Sequence, residues 1–118
     1  MITKQNWARV TRTENIPLRE GRSVKLGGVE IAIFNLGERF MAIENRCPHQ
    51  GGPLCDGIVS GATVVCPLHG WGFDLVTGGA VRASLPACVT TFATRVEDGI
   101  VLVDMASGSR IEPEEAAA

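Results

Sequence analysis

Two short pairs of cysteine and histidine constrain this sequence more than any other feature. Cys47 and His49 have one residue between them, Cys66 and His69 have two, and sixteen residues separate the pairs. The chain contains only two histidines, and both belong to these pairs. Two thiolates and two imidazoles form the donor set of a tetrahedral zinc site or of one kind of iron–sulfur cluster. The pairs therefore predict a metal centre.

The spacing favours a cluster over zinc. A single residue between Cys47 and His49 is shorter than the gap of roughly two to four residues that is typical of zinc sites. In a cluster held by two cysteines and two histidines, each loop has to reach both irons, and tight pairs on facing loops suit that task. Zinc stays open as an alternative because it often replaces iron in Cys/His sites.

The four residues match the Rieske [2Fe–2S] pattern, C-x-H followed sixteen residues on by C-x-x-H. The loops also resemble that family at Pro48, Gly51, Pro53, Leu54, Gly57, Pro67, Gly70 and Phe73. This resemblance implies a Rieske-type [2Fe–2S] cluster whose metal- and cofactor-binding residues are Cys47, His49, Cys66 and His69. It implies no catalytic residue.

The sequence departs from the Rieske proteins of respiratory and photosynthetic complexes at four positions. Those proteins carry one more cysteine in each loop, joined as a disulfide, where this chain has Gly52 and Leu68. They also place a serine and a tyrosine where this chain has Trp71 and Phe73, which offer no hydroxyl. Fewer donors to the cluster sulfurs lower the reduction potential. We therefore expect a potential in the lower part of the Rieske range, which spans roughly −150 to +300 mV.

Length and charge narrow the function further. A chain of 118 residues forms one domain and has no room for a separate catalytic domain, so we expect an electron carrier that is not catalytic alone. A net charge of −2 provides no basic surface for nucleic acid or an anionic membrane. The start of the chain shows no apolar leader, and the apolar runs are too short for a membrane helix. We expect a cytoplasmic protein, in which the remaining Cys55 and Cys88 are free thiols.

Short alternating segments separated by turn residues predict an all-β fold. Strands are predicted over 7–11, 23–26, 29–36, 39–43, 62–65, 72–75, 90–96 and 100–104, and hairpin turns at 27–28, 37–38 and 97–99. No segment has a sustained helical period. The predicted architecture is a Rieske-type antiparallel β-sandwich or barrel with a small cluster-binding subdomain formed by two loops. It is a single domain over 1–105, with the cluster-binding loops in 45–74 and a flexible tail over 106–118.

Across residues 7–105 the chain resembles the small subunit of assimilatory NAD(P)H nitrite reductase. The stretches 29–34, 51–54, 57–59 and 66–71 carry this resemblance. It implies one-electron transfer in nitrate assimilation beside a large flavin and sirohaem subunit. The alternative is the ferredoxin component of a bacterial aromatic ring-hydroxylating dioxygenase system, whose partners are a flavin reductase and an oxygenase. A zinc-held interaction module without a redox role is a third hypothesis.

Overall fold

A computed structural model describes residues 6–48, 51–68, 70–82 and 87–109, which fold into two antiparallel sheets. The large sheet has the order β1-β10-β9-β4-β3-β2, and the small sheet has the order β5-β6-β7-β8. The strands of the large sheet are β1 (Trp7–Arg12), β2 (Gly21–Leu26), β3 (Val29–Asn35), β4 (Phe40–Glu44), β9 (Thr91–Glu97) and β10 (Ile100–Ser109). Those of the small sheet are β5 (Ile58–Ser60), β6 (Thr63–Val65), β7 (Gly72–Asp74) and β8 (Ala80–Arg82). The predicted all-β fold of antiparallel sheets is confirmed.

Helical structure in the described residues is limited to two single 3₁₀ turns, Thr13–Asn15 and Leu54–Asp56. The second of these directly follows the first predicted ligand loop. Within the same residues, no helix is long and apolar enough to cross a membrane.

Two of the predicted hairpins rest on glycine turns. Leu26 pairs with Val29 around Gly27 and Gly28, whose φ angles are 57° and 85°. Two successive residues with positive φ make the tight turn whose twist matches that of antiparallel strands. The hairpin at residues 98–99 joins β9 to β10 in the same way.

Strand β3 of the large sheet is buried on both faces, and its side chains contribute to two separate cores. Ile31 and Ile33 lie in the core inside the large sheet, together with Ile16, Ala42, Val101 and Val103. The alternate residues Ala32 and Phe34 lie in a second core, which also contains Val64 and Phe73 of the small sheet. Side chains alternate between the faces of a strand, so one apolar segment serves both cores. Complete burial of a side chain such as Phe34 contributes about 1.5–3 kcal/mol.

The structure differs from the sequence-based expectations in two places. Strands β5 and β8 were not predicted, because three residues are too few to show an alternating pattern. The last strand is longer than predicted, because β10 continues past residue 104 to Ser109, which pairs with Thr91. The pairing of β10 with β9 shifts register between Asp104 and Ser109. Within this segment, the Ser107 hydroxyl donates to the Asp104 carbonyl at 2.6 Å.

The rest of the predicted tail, 110–118, lies outside the described residues. So do residues 83–86 of the predicted connection before β9.

Candidate metal centre

The first predicted ligand loop begins where β4 ends. Cys47 is buried, with 2% of its surface exposed. Its backbone N–H donates to the Gly52 carbonyl at 2.9 Å, and its carbonyl accepts from the Gly51 N–H at 2.7 Å. These two bonds close a tight loop over 47–52 that carries the exposed Pro48.

The second predicted ligand loop connects β6 to β7 and repeats this pattern. Cys66 is also 2% exposed. Its N–H donates to the Trp71 carbonyl at 2.6 Å, and its carbonyl accepts from the Gly70 N–H at 3.2 Å. In both loops the cysteine therefore bonds to the residues four and five positions further along the chain.

Gly51 and Gly70 occupy the same place in the two loops. Their φ angles are 72° and 74°, in the left-handed region that disfavours residues with a Cβ. At their described ends the two loops therefore have matching backbone bonds and φ angles, although the first predicted histidine is two residues after its cysteine and the second is three.

Gly52 brings the two loops into contact. A Cβ added to Gly52 would be 3.1 Å from the Sγ of Cys66 and 3.0 Å from the Cγ of Leu68. A Cβ at this position would require the Leu68 side chain and the Cys66 sulfur to move by a few tenths of an ångström. The two loops therefore face each other at Gly52 and Leu68.

The two cysteines lie in one buried cluster with Trp71 and Phe73. The centroids of the two rings are 6.4 Å apart, and their planes are inclined by 43°. Phe73 has no exposed surface and Trp71 has 7%. Trp71 is therefore a packed aromatic that shields the buried cysteines from water.

His49 and His69 lie outside the described residues, so their role as ligands stays a prediction. The described part of the site fits a metal cluster: two buried sulfur donors stand on facing loops whose close approach depends on a glycine. Thiolates and imidazoles are together the donors of a Rieske centre.

The other two cysteines are free thiols, as predicted. Cys88 is buried, and its backbone forms an isolated β-bridge with that of Gly79. Cys55 is half-buried, and burial raises the pKa of its thiol above the ordinary value. Because the thiolate is the reactive form, this favours a structural role for Cys55 over oxidation sensing.

Asp74 is the last residue of β7, and its side chain stabilises the turn that follows. Its Oδ1 accepts from the N–H groups of Val76 and Thr77 at 2.7 and 3.1 Å. This is the usual way in which an aspartate side chain stabilises a turn.

Sequence reasoning missed Asn45, which stands two residues before Cys47 and is only 6% exposed. Its side-chain Nδ2 donates to Oε2 of Glu30 at 2.8 Å, and its Oδ1 accepts from the Cys55 N–H at 2.8 Å. Both partners are distant in sequence. No local pattern could therefore have indicated this residue.

Comparison with known proteins identifies the family. The Rieske [2Fe–2S] domain matches residues 6–94, which is most of the chain. The chain therefore belongs to the Rieske [2Fe–2S] domain family.

Relatives in this family divide between two redox systems. The ferredoxin component of naphthalene 1,2-dioxygenase/salicylate 5-hydroxylase systems from Ralstonia sp is 32% identical over 101 residues, covering 86% of this chain and 97% of that protein. One chain in a complex of reduced oxygenase and oxidized ferredoxin in carbazole 1,9a-dioxygenase has a TM-score of 0.79 at 26% identity, covering 90% of this chain and 98% of that one. A Mycobacterium tuberculosis protein assigned as an NADH-dependent nitrite reductase small subunit has a TM-score of 0.78 at 25% identity, covering 86% and 96%.

These comparisons establish the cofactor and the general activity. The cofactor is a Rieske-type [2Fe–2S] cluster, so the zinc alternative is not retained. The protein is a ferredoxin-type electron carrier that works with redox partner proteins.

Proposed function

We propose that Cys47, His49, Cys66 and His69 bind the [2Fe–2S] cluster. The observation that supports this most strongly is the matching backbone of the two loops, each of which carries a buried cysteine and bonds it in the same way. When bound, the cluster accepts and gives up one electron at a time. The chain's own residues hold it in place and limit its contact with water.

The proposed potential is low for a Rieske protein. Trp71 and Phe73 are buried where the high-potential relatives place hydroxyl donors, and neither side chain has a hydroxyl to donate. Without those donors the reduced cluster is less stabilised, which lowers its potential. A redox titration followed by EPR tests this, and a midpoint above about +200 mV, near the top of the Rieske range, would contradict it.

We infer that the protein is the small subunit of an assimilatory NAD(P)H nitrite reductase and works in the cytoplasm, where NAD(P)H is available. The resemblance over four stretches of sequence and the similar Mycobacterium tuberculosis structure support this system. Exposed apolar side chains around the small sheet add support for a fixed subunit: they are Ile58, Leu68, Val76 and Val81. Permanent interfaces are more apolar than transient ones.

A second candidate is the ferredoxin component of an aromatic ring-hydroxylating dioxygenase system. The Ralstonia relative and the carbazole dioxygenase complex support it. In that system the chain would shuttle between a flavin reductase and an oxygenase, and it would bind each of them only transiently.

The two candidates differ in what reduces the cluster. The test mixes the cluster-containing protein with a nitrite reductase large subunit and NAD(P)H, or with a dioxygenase flavin reductase and NADH, and follows the visible absorbance of the cluster. We expect rapid reduction and stable co-purification with the nitrite reductase subunit. Rapid reduction only by the flavin reductase, without a stable complex, would identify the dioxygenase system instead.

A pair of variants shows whether the partner docks at the ligand loops. Leu68 lies in the second loop and is 50% exposed, whereas Val96 lies in the large sheet and is 46% exposed. We expect Leu68→Ala to slow reduction by the partner and Val96→Ala to leave the rate unchanged. Equal rates for the two variants would exclude docking through Leu68.

A further inference from the structure

In the described residues, the two sides of the first ligand loop are not paired with each other as strands. β4 ends at Glu44, the loop follows, and the chain returns as the 3₁₀ turn Leu54–Asp56. In the second loop, by contrast, β6 and β7 pair directly below the loop, with Val65 opposite Gly72.

Asn45 joins the two sides of the first loop through its side chain. Its Oδ1 accepts the Cys55 N–H at 2.8 Å and so connects the residue just before the loop to the 3₁₀ turn just after it. This bond encloses the inner bonds of Cys47 to Gly51 and Gly52. This side-chain bond therefore joins the two ends of the first loop, as the pairing of β6 with β7 joins the two ends of the second loop.

Glu30 fixes the orientation of the Asn45 amide. The Asn45 backbone N–H donates to the Glu30 carbonyl at 2.9 Å, and Nδ2 donates to the Glu30 carboxylate at 2.8 Å. An amide held at its nitrogen presents its oxygen in one direction, here towards the Cys55 N–H. A hydrogen bond to a charged acceptor is also stronger than a neutral one.

We propose that Asn45, oriented by Glu30, is a positioning residue that closes the first ligand loop and holds Cys47 in the geometry required by the cluster. The inference rests on the ligand assignment proposed above. The iron and acid-labile sulfide content of the Cys47→Ser and Cys66→Ser variants tests that assignment separately.

The closest matched control is Asn35, at the end of β3. Its Nδ2 donates to the Ile16 carbonyl at 2.8 Å, and its Oδ1 accepts from the Gly37 N–H at 2.8 Å. Asn35→Ala and Asn45→Ala therefore each remove two side-chain hydrogen bonds to the same kinds of groups, except that one acceptor is a carboxylate. Only Asn45 adjoins a ligand loop.

The test measures the rate of cluster loss in the presence of a chelator, from the visible absorbance of reconstituted protein. Loss of a residue that orients a metal ligand typically weakens metal binding by about ten- to hundredfold. We expect Asn45→Ala to lose the cluster about tenfold or more faster than wild type, and Asn35→Ala to lose it at nearly the wild-type rate.

Hydrogen exchange locates the effect. In Asn45→Ala the amide of Gly51 should exchange faster, while that of Gly70 in the second loop should not change. Equal rates of cluster loss in the two alanine variants, or equal acceleration of both glycine amides, would overturn the proposal.

Glu30→Ala provides a second test if Asn45→Ala does not fold. It removes only the carboxylate that orients the Asn45 side chain and leaves the backbone bond between residues 30 and 45 in place. We expect the same selective loosening of the first loop, with a smaller increase in the rate of cluster loss. A wild-type rate in folded Glu30→Ala would contradict the proposed role of Glu30.

Discussion

The second ligand loop extends from a strand hairpin, whereas the first leaves a strand and returns into a 3₁₀ turn. Their inner bonds are nevertheless the same, with each cysteine bonded to the residues four and five positions later. The difference lies in what supports them: neighbouring strands hold the second loop, and the side chain of Asn45 spans the first.

This difference shows that similar backbone bonds around the two cysteines can depend on different kinds of support. A strand pair uses backbone groups and tolerates many side chains, whereas closure by Asn45 depends on one amide. We therefore expect substitutions outside the ligands to affect the first loop more than the second. The following predictions test whether substitutions at corresponding positions of the two loops have the same effect.

The largest effect is expected from removing a cysteine ligand. Cys47→Ser and Cys66→Ser should each abolish stable cluster binding, because each removes one of the two thiolates among the four proposed ligands. Iron and acid-labile sulfide analysis measures this. Cys88→Ser is the matched control, since Cys88 is buried to a similar extent at 3% exposure and is not a proposed ligand. Full cluster content in either ligand variant would remove that cysteine from the site.

Replacing either histidine should have a large effect on the potential. His49→Cys and His69→Cys, where the cluster assembles, should shift it towards the value of about −400 mV found with four thiolates. Redox titration measures the shift in both loops. Gln50→Cys is the control because it adds a thiol beside His49 without removing an imidazole. An unchanged potential would mean that the substituted histidine is not a ligand.

The contact between the loops predicts that a disulfide can form. Gly52→Cys combined with Leu68→Cys should form one on mild oxidation, because a Cβ at residue 52 would lie 3.0 Å from Leu68 Cγ. Closing a loop of about 15 residues stabilises a protein by about 3 kcal/mol in the chain-entropy account. Mass spectrometry detects the bond and urea unfolding its effect, with each single cysteine variant as control. Failure to form the disulfide would contradict the facing arrangement.

The smallest effects are expected at the equivalent glycines. Gly51→Ala and Gly70→Ala should each reduce the free energy of unfolding by about 1–2 kcal/mol, because both require left-handed backbone. A Cβ at either position meets nothing closer than 3.6 Å, so strain alone sets the loss. Gly79→Ala is the control for urea unfolding, because its φ is not in the left-handed region and an added Cβ would meet only Thr77 Oγ1, at an ordinary contact distance of 3.5 Å. Clearly unequal losses at residues 51 and 70 would mean that the loops are not equivalent.

The sequence predicts those parts of the fold that depend on local chemistry. The hairpins at residues 27–28 and 98–99 follow from turn residues that accept positive φ. The three-residue strands β5 and β8 depend on their neighbours for pairing, and the end of β10 depends on a register shift after Asp104. Neither the three-residue strands nor the end of β10 is marked by a local sequence pattern.

The same division applies to the site. The spacing of Cys47 and Cys66 from the histidines indicates a cluster, and the structure brings both cysteines into one buried region. Asn45 was missed because its importance comes from Glu30 and Cys55, which only the folded chain brings to it. An asparagine after a strand would otherwise be taken as an ordinary turn residue.

The most direct test of the account is the EPR spectrum of anaerobically purified, dithionite-reduced protein, with iron and acid-labile sulfide counted on the same sample. We predict a rhombic Rieske-type signal with two iron ions and two sulfides per chain, as a [2Fe–2S] cluster requires. A sample from an iron-replete culture that is EPR-silent and contains one zinc ion and no sulfide would contradict the account.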